Sequence, residues 1–239
     1  MEHEHTVEAI RARLAQGPRL SYLRDWIYGG IDGSVTTFAV VTGVAGANLA
    51  PAIIIILGVA NLLGDGFSMA AGNYLGTRTE RQEIDALYAQ ESRHIDADPD
   101  GERQEVRQIF AAKGFTGDDL ERALAVVTSN RERWIRFMLS EEYGLPQQIR
   151  SASTAALSTF SAFVICGLVP LLPFVLPVPH PFAASVVMTL AVFFAVGSAR
   201  SRWLVMSWLR AGIETLIVGG IAALLAWTAG VFIARLVSP

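Results

Sequence analysis

The stretch Asn61-Leu-Leu-Gly-Asp65-Gly-Phe-Ser-Met69-Ala-Ala-Gly-Asn73 decides how the chain reads. Asn61, Asp65, Met69 and Asn73 recur every fourth residue, so on an α-helix they form one stripe that drifts slowly around the axis. The stripe sets two amides, a carboxylate and a thioether in an otherwise apolar segment. An ionisable group inside a bilayer is expensive and marks a functional site by default. A carboxylate with a thioether one turn away suits a borderline transition metal. No breaker follows Asn73, so the helix is expected to run on into the acidic segment that begins near residue 77.

Around this stretch the composition is that of a membrane protein. Of 239 residues, 52% are hydrophobic, the mean hydropathy is +0.40, and the apolar residues come in blocks. The net charge of −3 is unevenly spread: residues 77–150 hold 15 Asp/Glu and 11 Lys/Arg. The expected fold class is therefore an all-α membrane protein, with five transmembrane helices and a three-helix cytoplasmic domain inserted between spans two and three. Residues 1–26 read as an amphipathic cytoplasmic segment broken at Gly17-Pro18, and residues 27–76 as spans one and two. Residues 77–150 read as a helical metal-binding domain, and residues 151–239 as spans three to five. The spans centre on residues 27–49, 52–74, 153–172, 182–198 and 212–233, and no cleavable signal precedes them.

The turn near Asn48 is short, so spans one and two should form an antiparallel hairpin that brings Asp32 towards Asp65. Span one is rich in Gly, Ser and Thr, which allow close helix approach and hydroxyl bonds between helices. Glu214, one turn inside span five, reads either as an intramembrane site residue, with Asp32 and Asp65, or as the partner of Arg210. Arg residues precede span one, fill the central domain and flank Arg200, whereas the loops near Asn48 and residues 177–181 carry no Lys or Arg. That bias places the N-terminus and central domain in the cytoplasm and the C-terminus outside. Compact loops and Arg-rich basic composition fit a bacterial inner membrane.

The central domain reads as three helices. The first continues span two to residue 95. The second is capped by Asp98 or Asp100, with Pro99 at an early position. The third runs from about residue 117 to 143, with Thr116 and Asp119 resembling a capping box. A domain of this size is small for an independent core, so a partner copy or the membrane body should support it. Glu91 and His94 are spaced i, i+3, as are Glu102 and Glu105, while Met138 and Glu142 are spaced i, i+4. Facing one another, these groups would suit Fe²⁺, Mn²⁺, Co²⁺ or Zn²⁺; equally, Glu at such spacings is ordinary solvated helix surface. Glu80 and Glu83 read either as a relay handing cations towards the membrane or as a charged helix surface paired with Arg78 and Arg81, and His3 and His5 suit a solvated tail better than a metal site. Cys166 stands alone, which excludes a disulfide framework and a thiolate cluster. There is no nucleophile-elbow, zincin or P-loop motif and no basic face for nucleic acid. The chain is not expected to be an enzyme.

Three segments carry a resemblance to a known family. Tyr28-Gly-Gly-Ile-Asp32-Gly-Ser-Val-Thr-Thr-Phe-Ala-Val-Val-Thr-Gly43, Gly64-Asp65-Gly-Phe-Ser-Met69-Ala-Ala-Gly-Asn73-Tyr74-Leu and Glu141-Glu-Tyr-Gly-Leu-Pro146 resemble the vacuolar iron transporters, in the form that keeps the cytoplasmic insert. The resemblance implies export of Fe²⁺ from the cytoplasm against inward proton movement, by a homodimer with the path between subunits. It implies that Asp32 and Met69 line that path; Asp65, read from the stripe itself, is a further candidate. It also implies that Glu91, Glu102, Glu105, Met138 and Glu142 form the cytoplasmic metal cluster. His94 stands where the family more usually has Glu, and Leu139 where a second Met is common, so Mn²⁺, Co²⁺ and Zn²⁺ stay open beside Fe²⁺. The alternative is a membrane-anchored metal sensor or sequestration protein that transports nothing.

Overall fold

The computed structural model describes residues 4–16, 20–146, 149–201 and 206–237. His3, Gly17-Pro18 and Arg202 lie outside them. The described residues form helices joined by turns, with no strand. They fall into two compact units: residues 77–150 with the N-terminal residues through Leu20, and Ser21–Gly76 with Ser151–Pro239.

The apolar unit begins with α2 (Leu23–Gly46), after the short α1 (Val7–Gln16). α2 starts four residues before the expected span and so takes in Asp25, which is buried. It stops at Gly46 because Asn48 turns the chain with φ 53, a left-handed conformation that Asn tolerates better than most residues. α3 then runs unbroken from Pro51 to Ala97, 47 residues, and contributes to both units. After α7 (Ala152–Leu168) a 3₁₀ turn at Val169–Leu171 and the short α8 (Leu172–Val175) carry Pro170 and Pro173, the kinked exit that proline imposes. α9 (Pro181–Arg200) and α10 (Trp208–Val237) complete the unit.

Among the described residues, four helical segments are long and apolar enough to cross a membrane: those in α3, in α7 with its 3₁₀ and α8 extension, in α9 and in α10. α2, the expected first span, is long enough but falls outside that set, because Asp32, its glycines and its hydroxyl residues dilute its apolar character. Those hydroxyls mostly return to their own helix: Thr36 donates to Asp32 O at 2.9 Å and Thr42 to Phe38 O at 3.0 Å. The glycines bring backbones together. A Cβ on Gly29 would lie 2.2 Å from Thr159 O, and one on Gly33 would lie 2.3 Å from Phe163 O, so α2 and α7 pack in direct backbone contact. Glu214 pairs with Arg200 rather than with Arg210, because the antiparallel α9–α10 packing sets the end of α9 beside the start of α10.

In the charged unit the second half of α3 is followed by α4 (Pro99–Ala112), α5 (Gly117–Thr128) and α6 (Arg131–Glu141). Asp98, not Asp100, caps α4, accepting from Gly101 N at 2.9 Å, with Pro99 in the first turn. Two expectations fail. Thr116 takes the N-cap position of α5 but its side chain makes no capping bond. The expected single third helix is two, because the Asn130 side-chain oxygen accepts from Arg133 N at 2.9 Å and starts α6 afresh. Ile95, Val106, Phe110, Leu120, Leu124, Trp134 and Ile135 close a core between these helices.

Candidate metal centre

In the charged unit, α3 and α4 bring three donors together. One ligand atom each from Glu91, His94 and Glu102 lies within 4.8 Å of the others. Glu91 sits on the face of α3 that also buries Ile95, one turn on, and is itself 1% exposed. Glu102 occupies the first turn of α4 one turn before Val106, and is also buried. His94 lies at the rim, half exposed, with Nδ1 3.6 Å from Glu102 Oε1. Both Glu91 oxygens and Glu102 Oε2 are buried without a hydrogen-bond donor. Two ionised carboxylates cannot donate to each other, so without a cation their only direct link is one shared proton.

The electrostatics follow. Burial, then a proton shared with Glu102, then the charges of Glu102, Glu142 and Glu105 push the Glu91 carboxyl up to about 8. Glu105 and Glu142 are raised for the same two reasons, burial first and neighbouring carboxylates second, with His94 opposing the rise in each. Burial and the surrounding carboxylates also raise Tyr143. Glu105 and Glu142 are exposed and lie outside the three-donor group, though their charges reach it. Met138 is fully buried in the apolar core with Ile135 and Leu139. A site of two buried carboxylates and one imidazole, short of donors and ringed by further carboxylates, is complementary to a divalent cation. Glu80 and Glu83 instead border a groove of about 450 Å³ with Ile84, Leu87 and Leu145.

In the apolar unit, Asp32 of α2 is half-buried and Asp65 of α3 exposed, and their charges act on one another. Met69 is half-buried against the cluster around Phe38, Val41 and Phe163. Asn61 donates to Thr36 Oγ1 at 3.2 Å. At the far end of the stripe Asn73 donates to Asp25 Oδ1 at 2.9 Å and to Thr159 Oγ1 at 2.7 Å. Sequence reasoning missed Asp25 and Thr159. Asp25 had a signal: it precedes Asp32 by seven residues, two helical turns on one face. Thr159 had none.

The profile of the VIT family matches residues 23–231. The chain is 32% identical over 205 residues to vacuolar iron transporter 1 of Arabidopsis thaliana, covering 84% of this chain and 82% of that protein. It is 31% identical to vacuolar iron transporter 2 of Oryza sativa subsp. japonica, over 84% and 83% of the two chains. It is 29% identical to the vacuolar iron transporter of Plasmodium berghei, over 89% and 82%.

Proposed function

We propose that this chain, which belongs to the VIT family, is a transporter and not an enzyme, and that it exports Fe²⁺, with Mn²⁺ second, from the cytoplasm against inward proton movement. What carries the reading is the pair of buried carboxylates held beside His94, Glu91 with neither oxygen satisfied and Glu102 with Oε2 unsatisfied. Such a pair is strongly unfavourable when ionised without a counter-cation, and a divalent ion removes that cost. The charged unit thus captures the ion on Glu91, His94 and Glu102. Glu105 and Glu142 supply a negative approach, and the Met138 thioether a soft donor from the core side.

The ion then meets Asp32, Asp65 and Met69. One carboxylate serves metal and proton in turn: protonation of Asp32 from the far side weakens its hold on the cation and releases it. This path needs five spans, with α2 crossing beside α3, and a homodimer. Two observations support the dimer. Asp65 is exposed on one chain, on a helix that otherwise meets lipid, where a bare carboxylate is costly. Gly64, Ser68, Gly72 and Gly76 repeat every fourth residue on α3, and a Cβ at any of the three glycines would meet open space, as a helix–helix contact between copies requires. The N-terminus and charged unit lie in the cytoplasm of a bacterial inner membrane and the C-terminus outside.

Proteoliposomes with an imposed pH gradient test this. Wild-type protein should accumulate Fe²⁺ in a gradient-dependent manner, and Asp32→Ala should lose most of that uptake. Undiminished uptake by Asp32→Ala would remove Asp32 from the path. A wild-type protein that binds Fe²⁺ but never moves it would replace transport by sensing or sequestration.

A further inference from the structure

We propose that Asp25 and Thr159 are positioning residues of the translocation path: with Asn73 they fix the rotation of α3, and thereby where Met69 and Asp65 point. The inference rests on the reading of Asp32, Asp65 and Met69 as path residues. The acceptors come from two helices that form one frame, since Gly29 and Gly33 hold α2 and α7 backbone to backbone. Asp25 on α2 is 4% exposed and Thr159 on α7 is 2% exposed, so neither is tied up by bulk water. Asn73 Nδ2 carries two hydrogens, and its two shortest contacts, to Thr159 Oγ1 and Asp25 Oδ1, take one each; the Ala155 carbonyl is farther, at 3.3 Å. The Thr159 hydroxyl hydrogen is directed back to Ala155 O at 3.1 Å or Asp25 O at 3.4 Å, which leaves its oxygen free to accept from Asn73.

α3 needs such a device. On the side it turns to the frame, Ile54 and Leu62 are buried and anchor its first half, but from Phe67 to Gly76 no residue is fully buried. On the other side Leu63 and Phe67 are exposed. Apolar packing therefore holds the first half of α3 and restrains only weakly the rotation of the stretch after Gly66, which carries Met69. Two amides restrain it instead, Asn61 on Thr36 and Asn73 on Asp25 and Thr159, and they bracket Asp65 and Met69. The bracket matters because a rotation of about 20° would move a side-chain tip by about 2 Å, whereas metal–ligand distances tolerate about 0.2 Å.

The test is Fe²⁺ uptake by proteoliposomes, with KM and maximal rate, for wild type, Thr159→Ser, Thr159→Val, Asn73→Ala and the double variant Thr159→Val/Asn73→Ala. Thr159→Ser keeps the hydroxyl and should stay within about twofold of wild type. Thr159→Val keeps the shape, loses the acceptor, and should lower uptake efficiency about tenfold, as should Asn73→Ala; the double variant should be no worse than Asn73→Ala. Equilibrium Fe²⁺ binding by the charged unit of the full-length protein should not change. Thr159→Val transporting like wild type, or losses that multiply in the double variant, would overturn the inference while leaving the transport reading intact. If Asn73→Ala does not fold, the near-isosteric Thr159→Val against Thr159→Ser still decides. A wild-type protein that moves no Fe²⁺ overturns the transport reading and this inference with it.

Discussion

At the scale of residues, Glu91 carries the sharpest consequence. Between the ordinary carboxyl value of 4.5 and about 8, the folded protein keeps a proton on Glu91 that the unfolded chain has released. The folded state binds more protons in that window, so metal-free stability is fully present below 4.5 and falls as pH rises towards 8. The slope is at most about 1.4 kcal/mol per pH unit. Thermal unfolding of the metal-free protein in detergent should therefore show a melting temperature that drops from pH 5 to pH 8. Glu91→Gln should flatten that drop. A cation reverses the sense: it competes with the proton, so Fe²⁺ or Mn²⁺ affinity should weaken up to about tenfold per pH unit as pH falls from 8. Isothermal titration at three pH values, with proton release read from buffers of different ionisation enthalpy, checks this.

At the scale of elements, two sequence details decide how helices start and meet. Asn130 divides what reads as one long amphipathic helix, because its side chain accepts the Arg133 amide and makes a new N-terminus competitive with continuation. Asn130→Ala should lower stability by about 1 kcal/mol, read by denaturation of the full-length protein, because α6 loses its cap. Gly29 and Gly33 decide the approach of α2 to α7. Gly33→Ala would drive a methyl group into the Phe163 carbonyl, and with backbone on both sides neither helix can give locally. It should destabilise the apolar unit by about 1–3 kcal/mol or more. Gly43→Ala, whose Cβ meets nothing within 4 Å, is the matched control. Melting in detergent should separate the two variants.

At the scale of the whole molecule, the exposed small-residue stripe on α3 makes a prediction about assembly. A Cβ at Gly72 meets nothing within 4 Å in one chain, so the Gly72→Leu protomer should fold. If copies pack along this stripe, the added side chain forces them apart. Light scattering in detergent should then report a monomer, with Fe²⁺ uptake lost in parallel. A Gly72→Leu protein that remains dimeric would put the interface elsewhere.

The amino-acid pattern by itself determined the all-helical membrane character, the unbroken α3 and the spacing that set Glu91, His94 and Glu102 on helix faces. These follow from local hydropathy, the absence of breakers and the 3.6-residue period, which a short window contains. Sequence reading also placed Asp32 near Asp65, because a short turn leaves a hairpin little choice. Only the tertiary structure decided which carboxylates are buried without donors. Glu91 and Glu105 look alike in sequence, but one faces the core between α3 and α4 and the other faces water. It alone also joined Asp25 and Thr159 to Asn73 across separations of 48 and 86 residues. The node at Asn73 sharpens the opening stripe of four residues: Asn61 and Asn73 hydrogen-bond to neighbouring helices, while Asp65 and Met69 are left for the chemistry of the proposed path. No local window contains that distinction, because burial and hydrogen-bond partners are properties of the neighbours that folding brings.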